Sequence, residues 1–249
     1  MAYYDFLNIV FAPLLKLPTL WVIIILSFFI SVIIIVITKY TTDQVLMKKL
    51  KDDIKEHQKR VKELKNEPAK AMEIQKKAME SNMQYMMHSL KPTIITFIPI
   101  ILIFGWMSSN FAYESIKPQQ EFSITAFLDK TASGSMELAA PEGITITSDK
   151  IKKIEEGRAT WNLKGNEGEH ILELDYNGEK QEKNVLITND DKYIEPIKKT
   201  GNSQIKSIQI NYIPKKILNL FGWRLGWLGT YIIFSIIFTM VLRKLLKVY

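Results

Sequence analysis

Three stretches of the chain are almost continuously apolar, and two strongly charged stretches separate them. The apolar stretches are residues 21–38, 93–112 and 225–242. Each is close to the roughly 18–20 helical residues that cross a ~30 Å hydrocarbon core. The pattern predicts an integral membrane α-helical protein with three transmembrane helices, so its function is expected at a bilayer.

The first charged stretch, residues 39–91, shows two helical patterns. Alternating three- and four-residue steps, the spacing of a coiled coil, join Met47, Leu50, Ile54, His57, Val61 and Leu64. Asn66-Glu67-Pro68 interrupts this pattern, and proline fits the first turn of a new helix. A second seam is predicted at Met72, Met79, Met83, Met86 and Leu90. Two helices with a short connection predict an antiparallel coiled-coil hairpin.

The second charged stretch is rich in short segments of alternating β-branched and aromatic residues. Asn177-Gly178 lies between two of them and predicts a type I′ hairpin turn. The spacing favours a small β-sandwich, for which an immunoglobulin-like arrangement is one option. Ile213, Ile217, Leu218 and Phe221, with two lysines, predict an amphipathic segment before the third apolar stretch.

Charge distribution predicts the orientation. Residues 39–91 carry 13 basic and 8 acidic side chains, whereas residues 114–222 carry 15 and 17. Basic residues concentrate in cytoplasmic loops near span ends. We therefore expect a multi-pass protein of the cell membrane with a cytosolic hairpin and C-terminus, an outer N-terminus and an extracellular β-domain. Tryptophans at the predicted outer ends agree, namely Trp21, Trp106, Trp223 and Trp227.

The expected organisation has eight parts. They are an outer interfacial segment (residues 1–19), a first span (20–38), the hairpin (39–91), a second span (92–113), the β-domain (114–206), an amphipathic outer segment (207–224), a third span (225–243) and a cytosolic basic tail (244–249).

The sequence offers little for catalysis. It has no cysteine, and its three histidines are far apart without ligand spacing. No carboxylate pair or Ser/His/Asp set is recognisable. We expect no enzyme activity, cofactor or metal site. The three apolar cores also lack acidic and basic residues, which argues against an ion-coupled transporter.

Each apolar stretch carries hydroxyl side chains at helical spacing. The positions are Ser27, Ser31 and Thr38; Ser89, Thr93 and Thr96; and Ser235 and Thr239, followed by Arg243. One interpretation is that they bond to their own helix or to a neighbouring helix. The other is a partly hydrated groove that opens towards the cytosol and lowers the cost of moving polar chain into the bilayer.

Methionine and lysine give the hairpin two further features. Met72, Met79, Met83, Met86 and Met87 either pack the coiled coil or form an adaptable surface that captures hydrophobic segments. Basic side chains are predicted to contact ribosomal RNA or anionic lipid, namely Lys48, Lys49, Lys59, Arg60, Lys62 and Lys65.

The order of these features resembles the YidC/Oxa insertase superfamily, and most closely its archaeal YidC-like members, relatives of the third subunit of the ER membrane protein complex. The resemblance rests on residues 42–64 and 72–90, on Lys91-Pro92-Thr93 leading into Phe97-Ile98-Pro99, and on Leu225-Gly226-Trp227 through Arg243-Lys244-Leu245-Leu246. It covers the spans and the hairpin but not the β-domain.

The resemblance implies insertion of membrane proteins through a hydrophilic groove open to the cytosol, without energy coupling. Carried over, the groove includes Ser31, Thr38, Thr96, Ser235 and Thr239. Implied partners are nascent membrane proteins, the ribosome, the lipid bilayer, and a translocon or other biogenesis subunits. The chain departs from bacterial members, which have five core spans and an intramembrane arginine; here Lys39, Lys91 and Arg243 lie at the inner boundary.

A second hypothesis comes from a different class of protein. The chain would be a cell-surface receptor or scaffold whose β-domain binds an unknown extracellular partner. Deleting residues 117–206 distinguishes the two, because insertion should survive the deletion and ligand binding should not.

Overall fold

A computed structural model describes residues 6–64 and 66–248. Its helices are α1 (Leu7–Phe11), a 3-10 helix (Ala12–Lys16), α2 (Thr19–Thr41), α3 (Gln44–Glu63), α4 (Pro68–Phe111) and α5 (Trp227–Leu246). Among the described residues, α2, α4 and α5 are long and apolar enough to cross a membrane. The three predicted spans are thereby confirmed as candidate spans.

The region between α4 and α5 is rich in β-structure. Its strands are β1 (Phe122–Leu128), β2 (Ser135–Ala139), β3 (Ile144–Ile146), β4 (Ile151–Lys153), β5 (Arg158–Gly165), β6 (Gly168–Tyr176), β7 (Glu179–Ile187), β8 (Ile197–Lys199), β9 (Ile205–Ile210), β10 (Leu218–Leu220) and β11 (Trp223–Leu225). The chain divides into two compact units, which we call the β-unit (Met107–Lys216) and the helical unit (Met1–Trp106 and Ile217–Tyr249).

The β-unit has two antiparallel sheets around one core. One sheet has the order β3-β5-β1-β9-β8 and the other β4-β2-β6-β7. Alternate residues of the strands point into the core, as in β5, where Ala159, Trp161 and Leu163 are buried between exposed neighbours. Side chains from both sheets share this core, so the predicted β-domain is confirmed.

The strand order differs from the immunoglobulin arrangement. There the first strand lies at the edge of its sheet, whereas β1 here is central, between β5 and β9.

The turn predicted at Asn177-Gly178 is confirmed. Tyr176 pairs with Glu179, and both Asn177 (φ 54°) and Gly178 (φ 83°) have positive φ, which defines a two-residue type I′ turn.

The helix α4 is continuous across residues 91 and 92, where the sequence predicted the boundary between the hairpin and the second span. Pro92 and Pro99 lie inside this 44-residue helix. Each proline removes one backbone donor, yet the surrounding residues keep the helical path. The predicted start at Pro68 is confirmed, and Asp43 caps α3 by accepting the N–H groups of Val45 (2.9 Å) and Leu46 (3.1 Å).

The seam predicted for α3 is the less exposed face of that helix, with Met47 and Leu50 buried. On α4, by contrast, the less exposed face is formed by Ala71, Ile74, Ala78, Ser81, Tyr85 and Ser89, not by the methionines. A groove of about 420 Å³ lies between the helices, bordered by Ile54 and Val61 of α3 and Ala78 of α4. The coiled coil stays a prediction.

One tryptophan differs from its expected place at a lipid headgroup. Trp106 is fully buried, and its indole N–H donates to Asn8 Oδ1 at 2.6 Å. The ring of Phe11 packs beside it with a centroid distance of 4.9 Å. The segment after residue 206 also differs from a single amphipathic stretch, because it consists of β9, extended residues and the β10–β11 hairpin.

Candidate functional site

Four of the predicted groove hydroxyls lie where α2 packs against α5. Ser27 and Ser31 are fully buried. Ser31 Oγ lies 3.5 Å from the carbonyl oxygen of Ser235 and accepts the hydroxyl of Thr239 at 3.4 Å. Ser27 donates to the carbonyl of Ile23 in its own helix at 2.7 Å. Ser31 thus contacts α5, whereas Ser27 bonds within its own helix, and the groove itself stays a prediction.

The other predicted groove residues line a separate cavity of about 110 Å³. Thr38, Thr93, Thr96 and Arg243 come together there from α2, α4 and α5. The remaining lining residues are Ile34, Thr42, Met47, Tyr85, Ser89 and Pro92. A water molecule occupies about 30 Å³ of liquid, so the cavity has room for a few.

The hydroxyl groups of the cavity threonines donate hydrogen bonds to backbone carbonyls of their own helices. Thr38 donates to the carbonyl of Ile34 at 2.7 Å, Thr93 to that of Ser89 at 2.8 Å, and Thr96 to that of Pro92 at 3.0 Å. Their oxygens keep lone pairs that can accept from water or from a passing chain. Pro92, which also lines the cavity, lacks the N–H that would bond the carbonyl of His88.

Arg243 brings a positive charge to the cavity. It lies in the last turn of α5, where the helix dipole favours a cation. Its Nε is buried and has no hydrogen-bond partner among the described residues. No acidic side chain lines the cavity in the described part of the chain. A buried, unpaired guanidinium nitrogen is costly, so the arrangement favours water or a polar guest at this place.

Sequence reasoning missed two polar members of the cavity. Tyr85 and Thr42 line it but were not assigned to the groove. Tyr85 is the only aromatic residue between residues 41 and 91, and it lies on the same face of α4 as Ser89 and Thr96. An aromatic residue in an otherwise aliphatic and charged hairpin is the signal that could have found it.

The five predicted capture methionines are all exposed. Met72, Met79, Met83, Met86 and Met87 have between 53% and 73% of their surface accessible. They occupy a different face of α4 from the less exposed residues Ala71, Ile74 and Ala78. Met79 also borders the groove between the two helices.

The same face of α4 stays apolar and exposed into the candidate span. We call the set Met79, Met83, Met86, Leu90, Ile94, Phe97 and Ile101 the α4 stripe. Steps of three or four residues keep these side chains on one side of the helix. Lys76 separates the stripe from Met72, but no charged residue interrupts it afterwards. Its 22 residue steps correspond to about 33 Å along the axis.

Residues 8–130 match the family described as Integral membrane protein EMC3/TMCO1-like. This family belongs to the Oxa1/YidC-related group of insertases. The match covers slightly less than half of the chain, from α1 to just beyond β1. No curated protein and no solved structure matches the sequence.

The EMC3/TMCO1-like match confirms the coarse part of the resemblance drawn from the spans and hairpin. The matched segment contains α2, α3, α4 and the α4 stripe, whereas α5 and most of the β-unit lie outside it. The family is related to insertion of membrane proteins and is not known as enzymatic. Among the described residues, no group of three or more His, Cys, Asp or Glu side chains is placed to hold a metal ion. The comparisons give no support to a receptor or scaffold.

The basic residues predicted to contact RNA or lipid are exposed where the structure describes them. Lys48, Lys49 and Lys62 are exposed on α3. Lys59 lies 3.9 Å from Glu63 and Arg60 lies 2.6 Å from Glu56, each one helical turn apart. Such exposed pairs contribute little and can be replaced by an external anion. Lys65 lies outside the described residues.

Proposed function

We propose that the protein is a membrane-protein insertase and chaperone. It binds hydrophobic segments of nascent chains on the exposed methionines and passes them into the bilayer through a hydrophilic groove open to the cytosol. In this proposal the N-terminus is outside, the C-terminus is cytoplasmic, and the arm made by α3 and the first half of α4 is cytosolic. The match to a family of membrane-protein insertion supports it.

The observation that carries the proposal is the α4 stripe. A soluble helix that exposes this many large apolar side chains is unfavourable in water unless they meet a partner. The stripe begins in the charged arm and continues into the candidate span without a break. A hydrophobic client segment can therefore move from the cytosol to lipid without leaving an apolar surface.

Methionine suits the cytosolic end of such a path. Its side chain is unbranched and polarizable, so it adapts to clients of different shape. Beyond Leu90 the stripe changes to isoleucine and phenylalanine, which are exposed at Ile94 and Phe97. These stiffer side chains suit contact with lipid tails, where no selective fit to a client is needed.

The cavity around Arg243 supplies the polar part of the proposal. Moving a charge to the centre of a bilayer costs about 2.5–3.5 kcal/mol on insertion scales. Water and hydroxyl oxygens beside Thr38 and Thr96 shorten the apolar distance that a polar flank of the client must cross. We assign Ser31, Ser235 and Thr239 to the wall that closes this groove between α2 and α5.

The proposed partners are nascent membrane proteins, the lipid bilayer, and a translocon or other biogenesis subunits. The exposed bases of α3 are proposed to meet ribosomal RNA or anionic lipid, with Lys65 included. Contact with a phosphate-rich surface depends strongly on salt.

Photo-crosslinking in translating membranes tests the proposal. A crosslinking side chain at Met83 faces along the stripe, whereas one at Gln84 is also exposed but turned about 100° around the helix. We expect a nascent membrane protein to be captured from Met83 several times more than from Gln84. A third site at Thr96 reports on the cavity. Equal capture from Met83 and Gln84, or capture of lipid alone from all three sites, contradicts the proposal.

A further inference from the structure

The β10–β11 hairpin ends in an unusual turn. Phe221 (φ 50°) and Gly222 (φ 94°) both have positive φ, the signature of a two-residue type I′ turn. Asn219 Oδ1 accepts the N–H of Gly222 at 3.1 Å and closes the tip. The hairpin belongs to the helical unit and pairs with no other strand among the described residues.

The chain contains a direct comparison for this tip. The β6–β7 turn has the same geometry with Asn177-Gly178, the pair that this turn type favours. Phenylalanine is a poor residue at positive φ, because its Cβ meets the backbone and its side chain cannot bond locally. Packing does not compensate for it, since Phe221 is 100% exposed and Trp223 is 75% exposed. Because these exposed side chains are apolar, we expect the tip to lie in an environment other than water.

The hairpin is continuous with the first turn of α5. The N–H of Ile217 donates to the carbonyl of Leu225 at 2.8 Å. A Cβ added at Gly229 would lie 3.2 Å from the Leu225 side chain, so the end of the hairpin packs closely on the helix. The hydroxyl of Thr230 donates to the carbonyl of Gly226 at 2.9 Å. These contacts fix where the hairpin leaves the helix.

The length of α5 places the junction between the hairpin and the helix at the edge of the bilayer. The 20 residues of α5 extend about 30 Å, which only just spans the hydrocarbon core. Trp227 must then lie near its boundary. Phe221 is six residues away, within about 20 Å of the boundary even if the chain were fully extended. An aromatic tip with the exposed base Arg224 beside it has the composition of headgroup-zone anchors.

We propose that residues 218–225 form an interfacial anchor whose tip, Phe221 and Trp223, inserts into the lipid headgroup zone beside the start of α5. The bilayer takes the place of the third strand or helix that a two-stranded hairpin needs for stability in water. Arg224 then faces lipid phosphates. The anchor sets the depth of α5 and is independent of whether the protein inserts clients.

Site-specific fluorescence tests the anchor in the full-length chain. The chain has no cysteine, so single-cysteine variants need no prior substitutions. A polarity-sensitive dye is attached at Leu220→Cys, which keeps Phe221 and Trp223, and in a control at Asn177→Cys. The protein is reconstituted into phosphatidylcholine vesicles that contain phosphatidylglycerol and a headgroup-level spin-labelled lipid. We expect a blue-shifted dye at residue 220 that the spin label quenches and aqueous iodide does not, and the reverse at residue 177.

Two results overturn the proposal. One is quenching of the residue 220 dye by iodide, which places the tip in water. The other is a blue-shifted dye that neither reagent quenches, which makes the occupant a protein such as a second copy of the chain.

A second variant separates anchoring from folding of the hairpin. Phe221→Asn gives the turn its preferred residue and removes an apolar side chain, and Trp223→Ser removes the other. With both changes and the dye at Leu220→Cys, we expect loss of quenching by the spin-labelled lipid. Unchanged quenching contradicts the anchor, because the turn itself is then sufficient.

Discussion

Apolar side chains serve opposite purposes in the two units. In the β-unit, strand residues such as Trp161, Leu172 and Ile208 are fully buried between the sheets. On the membrane-span part of α4, residues of the same character, such as Phe97 and Ile98, are exposed. The hydrophobic effect acts on both sets, but the first escapes water by folding and the second by meeting lipid or another chain. Burial thus identifies the structural core, and exposure identifies the apolar surface that must meet lipid or another chain.

The largest expected effect tests the core side of this comparison. Trp161→Ala removes a fully buried ring and its N–H bond to the carbonyl of Lys150 (2.9 Å). We expect it to lower the free energy of unfolding of the β-unit by about 3–5 kcal/mol. Hydrogen exchange of β1 and β5 amides in the full-length chain measures this. Ile171→Ala, at a half-exposed position of β6, is the control and should change it by less than about 0.5 kcal/mol. Similar losses for both variants would refute the distinction.

The next largest effect is expected at the exposed apolar residues of α4. Ile98 is 67% exposed on the span part of α4. If its surroundings are lipid, Ile98→Lys should cost about 2.5–3.5 kcal/mol of insertion free energy. The fraction of chains resistant to alkaline extraction from membranes should fall accordingly. Met83→Lys, in the arm, should leave that fraction unchanged. Full tolerance of Ile98→Lys would show that this face meets water and not lipid.

A smaller effect is expected within the β-unit, which includes the last residues of α4 from Met107 onwards. The Tyr193 hydroxyl accepts the N–H of Ala112 at 2.9 Å and donates to the carbonyl of Ser108. Tyr193→Phe leaves both backbone groups without this partner and should cost about 1–3 kcal/mol of unfolding free energy. Tyr212→Phe is the matched control, because it removes a hydroxyl of the same aromatic cluster that is not bonded to α4. Denaturant unfolding of the two variants gives the difference, and equal losses contradict the assignment.

The same cluster predicts a fall in stability at alkaline pH. Burial raises the pKa of the Tyr212 phenol from 10.0 to about 12 and also raises the pKa of Tyr193. The neutral phenols are therefore favoured by folding. Their contribution is complete below pH 10 and is lost as pH rises towards 12. The slope of the unfolding free energy against pH should become smaller in Tyr212→Phe.

Local sequence patterns predicted those elements whose residues are compatible with only one backbone structure. A run of about 20 apolar residues has to form a spanning helix in lipid, and α2 is an example. Asn177-Gly178 fixed a turn because few residue pairs tolerate positive φ twice in succession. Pro68 marked the start of α4 because proline fits the first turn of a helix, where its missing N–H is not needed.

The candidate site was less predictable, because two apolar patterns with helical spacing overlap on α4. Met79 and Met83 lie in one and Ala78 and Tyr85 in the other, and both fit a seam. Periodicity alone favoured the larger methionines as the packed face. In the structure the small residues form the less exposed face of α4, and the methionines are exposed.

By itself, then, the amino-acid sequence determined the number of candidate spans, the presence of a β-domain and the helical spacing of the hydroxyl side chains. The tertiary structure alone decided that Ser31 of α2 contacts Thr239 of α5, while Thr96 and Arg243 share a cavity. The reason is geometric. Helical spacing shows which side chains share a face, but the direction in which that face points depends on how neighbouring helices pack.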